Sequence, residues 1–254
     1  MNGLVNIFFP LFNAADRWVS ALGLGPVPRM GMWGIVSGAT AVGLYALLSN
    51  QARIRSKKAT ICSFREKIRE FDGGDLGEVL RLSRQNVAHS CGLLALVVLP
   101  TVGAAIPVIA VLCWVETTFA YASLRPGDTV AVTFAPRTAN VRVHPGDAGR
   151  WVRPGTMDLV VPAGHAVRFE DASGVVLFDN TLSTPASPVI QPYRWWNVLI
   201  GNEAGYLPAD TAVDEIRFHF RRRTILQGMP RWLSTWEFPY FLAMTVTALS
   251  LRFG

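Results

Sequence analysis

Residues 31–71, GMWGIVSGATAVGLYALLSNQARIRSKKATICSFREKIREF, decide the reading of the chain. The uncharged run from Gly31 to Ser49 gives way at once to a stretch crowded with cations. At about 1.5 Å rise per residue, the apolar part is long enough to cross the ~30 Å hydrocarbon core of a bilayer. The cations that follow hold the adjoining segment on the cytoplasmic side, because short basic loops are not translocated. A second uncharged run, Leu93 to Val115, lies downstream. These two runs explain why only 17% of the 254 residues are charged and why mean hydropathy is +0.29. The net charge of +6 is concentrated beside the first run, so membrane topology accounts for it and nucleic acid is not an expected partner.

Between the two runs, Ile54, Ile61, Phe64, Ile68 and Phe71 form a heptad-like seam, which predicts a helix. Asp72-Gly73-Gly74-Asp75 supplies a break, and Asp75 with Glu78 reads as a capping box that opens a second helix. Leu76, Val79, Leu80, Ser83 and Val87 continue the seam. Residues 51–90 are therefore expected to form an antiparallel cytoplasmic hairpin between transmembrane helix 1 (30–50) and transmembrane helix 2 (91–117). Pro100 and Pro107 predict a kink in the latter. Its Trp114 and Glu116, with Tyr121, read as an interfacial belt.

Upstream, residues 1–29 read as an interfacial amphipathic helix. Phe8, Phe9, Leu11, Phe12 and Trp18 are apolar, and Asn13, Asp16 and Arg17 are expected to face water. No basic n-region or small-residue cleavage site marks this stretch as a cleavable leader. Gly34 and Gly38 form a small-residue face of GxxxG type, suited to close helix contact, although a lone glycine-tolerant span has the same pattern.

Downstream, residues 125–223 change to short β-prone runs separated by turns such as Pro126-Gly127-Asp128 and Pro154-Gly155. Six or so strands predict an all-β, sandwich-like domain, which the topology places outside the cytoplasm. Within it Trp195 and Trp196 stand in an apolar cluster. On a strand, adjacent side chains point oppositely, so two tryptophans would not share one core; a surface contact and core packing both remain open. Arg221, Arg222 and Arg223 read either as a contact for lipid phosphate or an acidic partner, or as a solvated strand end. Residues 232–253 form transmembrane helix 3 or, alternatively, an in-plane helix.

No hydrolase, phosphate-loop or dinucleotide motif occurs, and the histidines and cysteines lack metal-ligand spacing. The turn aspartates are explained by turn geometry. No catalytic residue, metal or cofactor is expected, and the chain is not expected to be an enzyme.

The fold class read from the sequence is thus an α-helical membrane protein with three transmembrane helices and a cytoplasmic helical hairpin, plus an extracytoplasmic all-β domain. This order of parts resembles the YidC/Oxa/Alb insertase superfamily, and within it the third subunit of the ER membrane protein complex and its archaeal relatives. The resemblance covers about residues 10–116 plus the last span. It is carried by Gln51-Ala52-Arg53-Ile54-Arg55, the Gly74-Asp75 turn and Leu99-Pro100 to Ile106-Pro107-Val108. It implies a groove half open to lipid and cytoplasm that eases clients' polar segments into the bilayer. The implied groove or client candidates are Ser37 and Thr40 in the first span and Asn50, Gln51 and Arg53 at its cytoplasmic end.

The chain departs from that layout in two ways: neither span carries a basic residue, and a large β domain separates spans two and three. Two functions follow as expectations. One is an insertase-like protein aiding insertion or assembly of membrane proteins. The other is a non-catalytic accessory subunit of a larger membrane complex, docked through Gly34, Gly38, Trp195 and Trp196. Expected partners are membrane lipids and other integral membrane proteins. The expected location is the cytoplasmic (inner) membrane of a prokaryote, with the N-terminus and β domain outside.

Overall fold

The computed structural model describes residues 3–69, 76–182, 187–230 and 232–253. Among the described residues are five α-helices: α1 (Phe9–Ala21, preceded by a 3-10 turn at Val5–Phe8), α2 (Pro26–Leu48), α3 (Gln51–Arg69), α4 (Leu76–Phe119) and α5 (Glu237–Phe253). Eight strands lie between α4 and α5 among the described residues. They are β1 (Thr129–Ala135), β2 (Val141–His144), β3 (Gly149–Arg153), β4 (Thr156–Val160), β5 (Ala166–Asp171), β6 (Val176–Thr181), β7 (Val189–Ile190) and β8 (Glu215–His219). The chain divides into two compact units, Met1–Met30 with Ala110–Pro239, and Gly31–Ile109 with Tyr240–Gly254.

In the second, helical unit, α2 and α4 are long and apolar enough to cross a membrane. Only 22% and 28% of their most apolar stretches are buried, unlike the core helix of a soluble protein. Leu47 and Leu99, 82% and 77% exposed, present hydrocarbon outward. The first helix starts at Pro26 rather than at residue 30. A proline in the first turn has no hydrogen bond to lose, so Pro26 and Pro28 open this helix instead of preceding it.

Hairpin and second span are not separate elements either: α4 is one 44-residue helix with no break at residue 90 or 91. It continues through Pro100 and Pro107, and the Thr101 hydroxyl donates to the Val97 carbonyl at 2.8 Å beside the first proline. The 72–75 turn, the Asp75–Glu78 capping box and the side chains of Phe71, Leu76 and Val79 lie outside the described residues. On α3 the seam holds, with Ile54 and Ile61 buried. On α4 it does not. Leu80 and Val87 are exposed, and the contact passes instead through His89, whose ring stacks on Phe64 at 5.3 Å between centroids.

α5 packs on α2 through the glycine face. A Cβ at Gly34 would meet the Tyr240 carbonyl oxygen and Ala243, and one at Gly38 would come within 2.6 Å of the Met244 carbonyl oxygen. The expectation that Gly34 and Gly38 serve an external partner is therefore corrected: the chain's own last helix occupies this face, because no side chain stands between the two backbones.

In the first unit, two antiparallel sheets share one core. Their strand orders are β3-β4-β1-β8-β7 and β2-β5-β6. Alternation along β1 buries Val130, Val132 and Phe134, while Phe169 lies edge-on to Phe134 and packs against Phe178 and Phe218. Eight strands replace the expected six. β3 is an exposed edge whose GRWVR has no buried face, and β7 has only two residues, so neither carries an alternating signal. The final strand stops at His219.

Candidate functional site

Three groups of residues bear on function, beginning with the groove candidates of the helical unit. Ser37 is buried, and its hydroxyl oxygen accepts a 2.7 Å hydrogen bond from Tyr240. It therefore joins α2 to α5 and is not open to a client, a correction to its expected role. Thr40 is half-buried on the same helix. Asn50 starts α3: its carbonyl oxygen accepts from the Ile54 N–H, and its side-chain oxygen from the Arg53 N–H at 3.0 Å. Gln51 donates to the Ser49 hydroxyl at 2.5 Å. These two polar residues thus organise the passage from α2 into α3.

Arg53 lies elsewhere. With Ser56, Lys57, Gly92 and Leu96 it lines a cavity of about 410 Å³ between α3 and α4. The Lys57 ammonium rests over Gly92, where a Cβ would stand 3.0 Å from Nζ. Lys57 follows Arg53 by one helical turn, so both cations serve the same face. Earlier on α4, Asn86 Oδ1 and His89 Nδ1 are buried without a hydrogen-bond partner among the described residues. Sequence reasoning missed Lys57, Asn86 and Gly92. The four-residue spacing to Arg53 was available as a signal, but which face of α3 meets α4 was not.

The second group lies in the first unit, where the chain enters and leaves the β sheets. The Ala122 N–H donates to the Arg221 carbonyl and the Arg223 N–H to the Ala120 carbonyl, at 3.0 and 2.9 Å, which pairs the two crossing strands. Trp236 Nε1 donates to Glu116 at 2.9 Å, and Arg222 pairs with Glu237 at 2.9 Å. Arg222 thus pairs with an acidic residue at the start of α5 while its side chain remains more than half exposed. Arg221 and Arg223 serve the pairing through their backbones. Beside this stem is a cavity of about 640 Å³, lined by Glu116, Tyr121, Asn202, Tyr206 and Trp236 among others. Its walls come from separate segments, so no local motif announces it.

The third group is apolar. Trp195 to Val198 form a 3-10 turn, not a strand, and Trp195 and Trp196 are 76% and 42% exposed. Core packing is thereby excluded, though not for the reason of strand alternation. Arg194 lies over the Trp196 ring at 5.2 Å. The N-terminal segment binds directly to this loop. The Leu4 and Val5 N–H groups donate to the Val198 and Leu199 carbonyls at 2.8 and 3.0 Å, and the Asn6 amide exchanges two bonds with Gly201.

α1 itself differs from the expected amphipathic helix. Asp16 does not face water: it is buried and paired with Arg29, whose guanidinium also lies over Phe119. Trp114, read as a belt residue, is 1% exposed, donates to Asn13 at 2.8 Å and meets Phe12 edge-on. Packing of α1 against the last turns of α4 buries Asp16, while Asn13 and Arg17 stay exposed as expected.

Among the described residues no three histidine, cysteine or acidic side chains converge as a metal site. Comparison with known proteins returned no matching family model, no matching curated protein and no matching solved structure.

Proposed function

We propose that this chain is an insertase-like integral membrane protein that aids insertion or assembly of other membrane proteins. In this reading α2, α4 and α5 are three spans, the α3–α4 hairpin is cytoplasmic, and the N-terminus and β sheets are extracytoplasmic. α5, at 17 residues, is short for a span, and the exposed Trp232 before it with Arg252 near its end supplies interfacial anchors.

The observation that carries the proposal is the basic cavity of Arg53 and Lys57 against Gly92 and Leu96. A cation held where the hairpin meets an apolar helix offers a polar foothold to a client's hydrophilic or acidic segment. Such a segment otherwise costs several kcal/mol to bring into hydrocarbon. Asn86 Oδ1 and His89 Nδ1, without a hydrogen-bond partner among the described residues, add hydrogen-bonding capacity along the same hairpin. No bond is made or broken in this work, so it needs no catalytic residue. The resemblance to the YidC/Oxa/Alb superfamily supports the same reading.

Reconstitution into liposomes with a short-tailed client tests it. The expected result is insertion above empty liposomes, reduced by the double substitution Arg53→Glu and Lys57→Glu. Insertion no greater than in empty liposomes sinks the proposal. The accessory-subunit reading is favoured by one observation, the closure of Ser37 against Tyr240. A stable stoichiometric partner set after mild-detergent purification is the outcome that selects it. For topology, a thiol reagent applied from outside should miss Cys62 and reach a cysteine introduced by Ser173→Cys; the reverse labelling inverts the arrangement.

A further inference from the structure

We infer that the N-terminal segment and the 194–201 loop form one lipid-facing platform that rests at the bilayer interface. The inference rests on the reading of α4 as a span but not on insertase activity. Two segments nearly two hundred positions apart are joined by the backbone bonds of Leu4 and Val5 to Val198 and Leu199, and by buried Asn6 on Gly201. Gly3 fits this joint closely, since a Cβ there would collide with Gly201 N and sit 2.8 Å from Leu199 O.

What the joint presents is apolar. Leu11 and Trp18 are 66% and 79% exposed, and at about 100° per residue they fall within ~20° of one another on α1; Ile7, in the preceding 3-10 turn, is 66% exposed. On the opposite side Phe9 and Asp16 are buried. The helix thus turns its buried carboxylate inward and a strip of hydrocarbon outward, with only Arg17 charged on the outer side, an order that water disfavours and a bilayer interface favours. Across the joint, Trp195 and Leu199 are 76% and 53% exposed. Arg17 and Arg194 lie beside Trp18 and Trp195, where their charges can meet lipid phosphate.

The position of the platform selects lipid as its occupant. α1 is packed on the last turns of α4 through Asn13, Phe12 and Trp114, and it runs within a few residues into α2, the other helix long enough to span. A surface fixed at the end of a span lies at headgroup level, the depth at which tryptophan is enriched.

Spin labels test the proposal on the full chain, with Cys62, Cys91 and Cys113 replaced by alanine, in vesicles of phosphatidylethanolamine and phosphatidylglycerol. Labels are introduced through Leu11→Cys, Leu199→Cys, Val152→Cys and Leu99→Cys, and oxygen access is compared with that of a water-soluble nickel complex. Labels at 11 and 199 should lose nickel access and gain oxygen access relative to 152, an exposed position on β3. Asn6→Ala should return nickel access at 199 while leaving 11 shielded. Labels at 11 and 199 as nickel-accessible as 152 overturn the proposal and point to a protein partner for this surface. A nickel-accessible label at 99 overturns the span and the platform together. Shielded labels in a preparation that inserts no client leave the platform standing and remove only the insertase reading.

Discussion

Gly34→Ala and Gly38→Ala are expected to destabilise the helical unit, whereas Gly43→Ala in the same helix is expected to be neutral or stabilising. The contrast comes from what each new methyl group meets. At Gly43 no atom outside the local helix lies within 4 Å. At Gly38 the new Cβ comes 2.6 Å from the Met244 carbonyl oxygen and 3.1 Å from Thr247 Cβ. Ordinary contact begins near 3.4 Å, so α2 and α5 must part by roughly 0.8 Å, enough to forfeit a quarter to a half of the dispersion attraction along the contact. At Gly34 the obstruction is again backbone, the Tyr240 carbonyl, which cannot swing aside as a side chain would. Overpacking of this kind costs about 1–3 kcal/mol. The helix-propensity gain of about 1 kcal/mol is common to all three substitutions and cancels in the comparison. Separation also stretches the 2.7 Å bond from Tyr240 to Ser37. Unfolding midpoints in mixed detergent micelles, followed by tryptophan emission, should therefore place Gly38→Ala about 1–3 kcal/mol below Gly43→Ala. Equal midpoints for the three variants would refute the packing argument.

Two further outcomes follow from the sheet-bearing unit. Asp16→Asn leaves the Arg29 guanidinium largely buried and without its carboxylate, a change that typically costs about 3–5 kcal/mol; equilibrium unfolding of the variant checks it, and a loss below about 1 kcal/mol would contradict the burial of the pair. The Asp171 carboxylate accepts from the Ser173 hydroxyl and from the Ser173 and Val175 N–H groups, which hold its pKa below the ordinary value. The unfolded chain therefore binds a proton first as pH falls, so this contribution is complete above the usual carboxylate range and lost below it. Asp171→Asn should flatten that part of the pH dependence in unfolding experiments between about pH 5 and pH 2.

The architecture was legible where one element decides its own burial. The runs around Gly34 and Leu99 are apolar on every side, so their length alone marks them as candidate spans. β1 and β8 alternate because each lies inside a sheet with one covered face. The exposed edge β3 is polar and apolar without order, and sequence patterns cannot register it. Asp16 looked solvent-facing because its partner Arg29 belongs to another helix, and Ser37 looked like an open groove residue because Tyr240 lies at the far end of the chain. Arg53 was found, but not Lys57 beside it, since the face of α3 that meets α4 is set by packing. The exposure of Trp195 was anticipated by an argument about strands, and it arises instead from a 3-10 turn tied to the N-terminus.

The paired strands at Tyr121 and Arg222 have a consequence for the history and engineering of the chain. A chain that departs and returns through one antiparallel bridge leaves both stumps only about 5 Å apart. Everything between Ala122 and Arg221 is thus a cassette: a two- or three-residue splice could replace it without asking α4 or α5 to change course. The β sheets are thereby confined to a single insertion, tied elsewhere to the N-terminal segment through Val198, Leu199 and Gly201, and a spliced chain would show what the helices do alone.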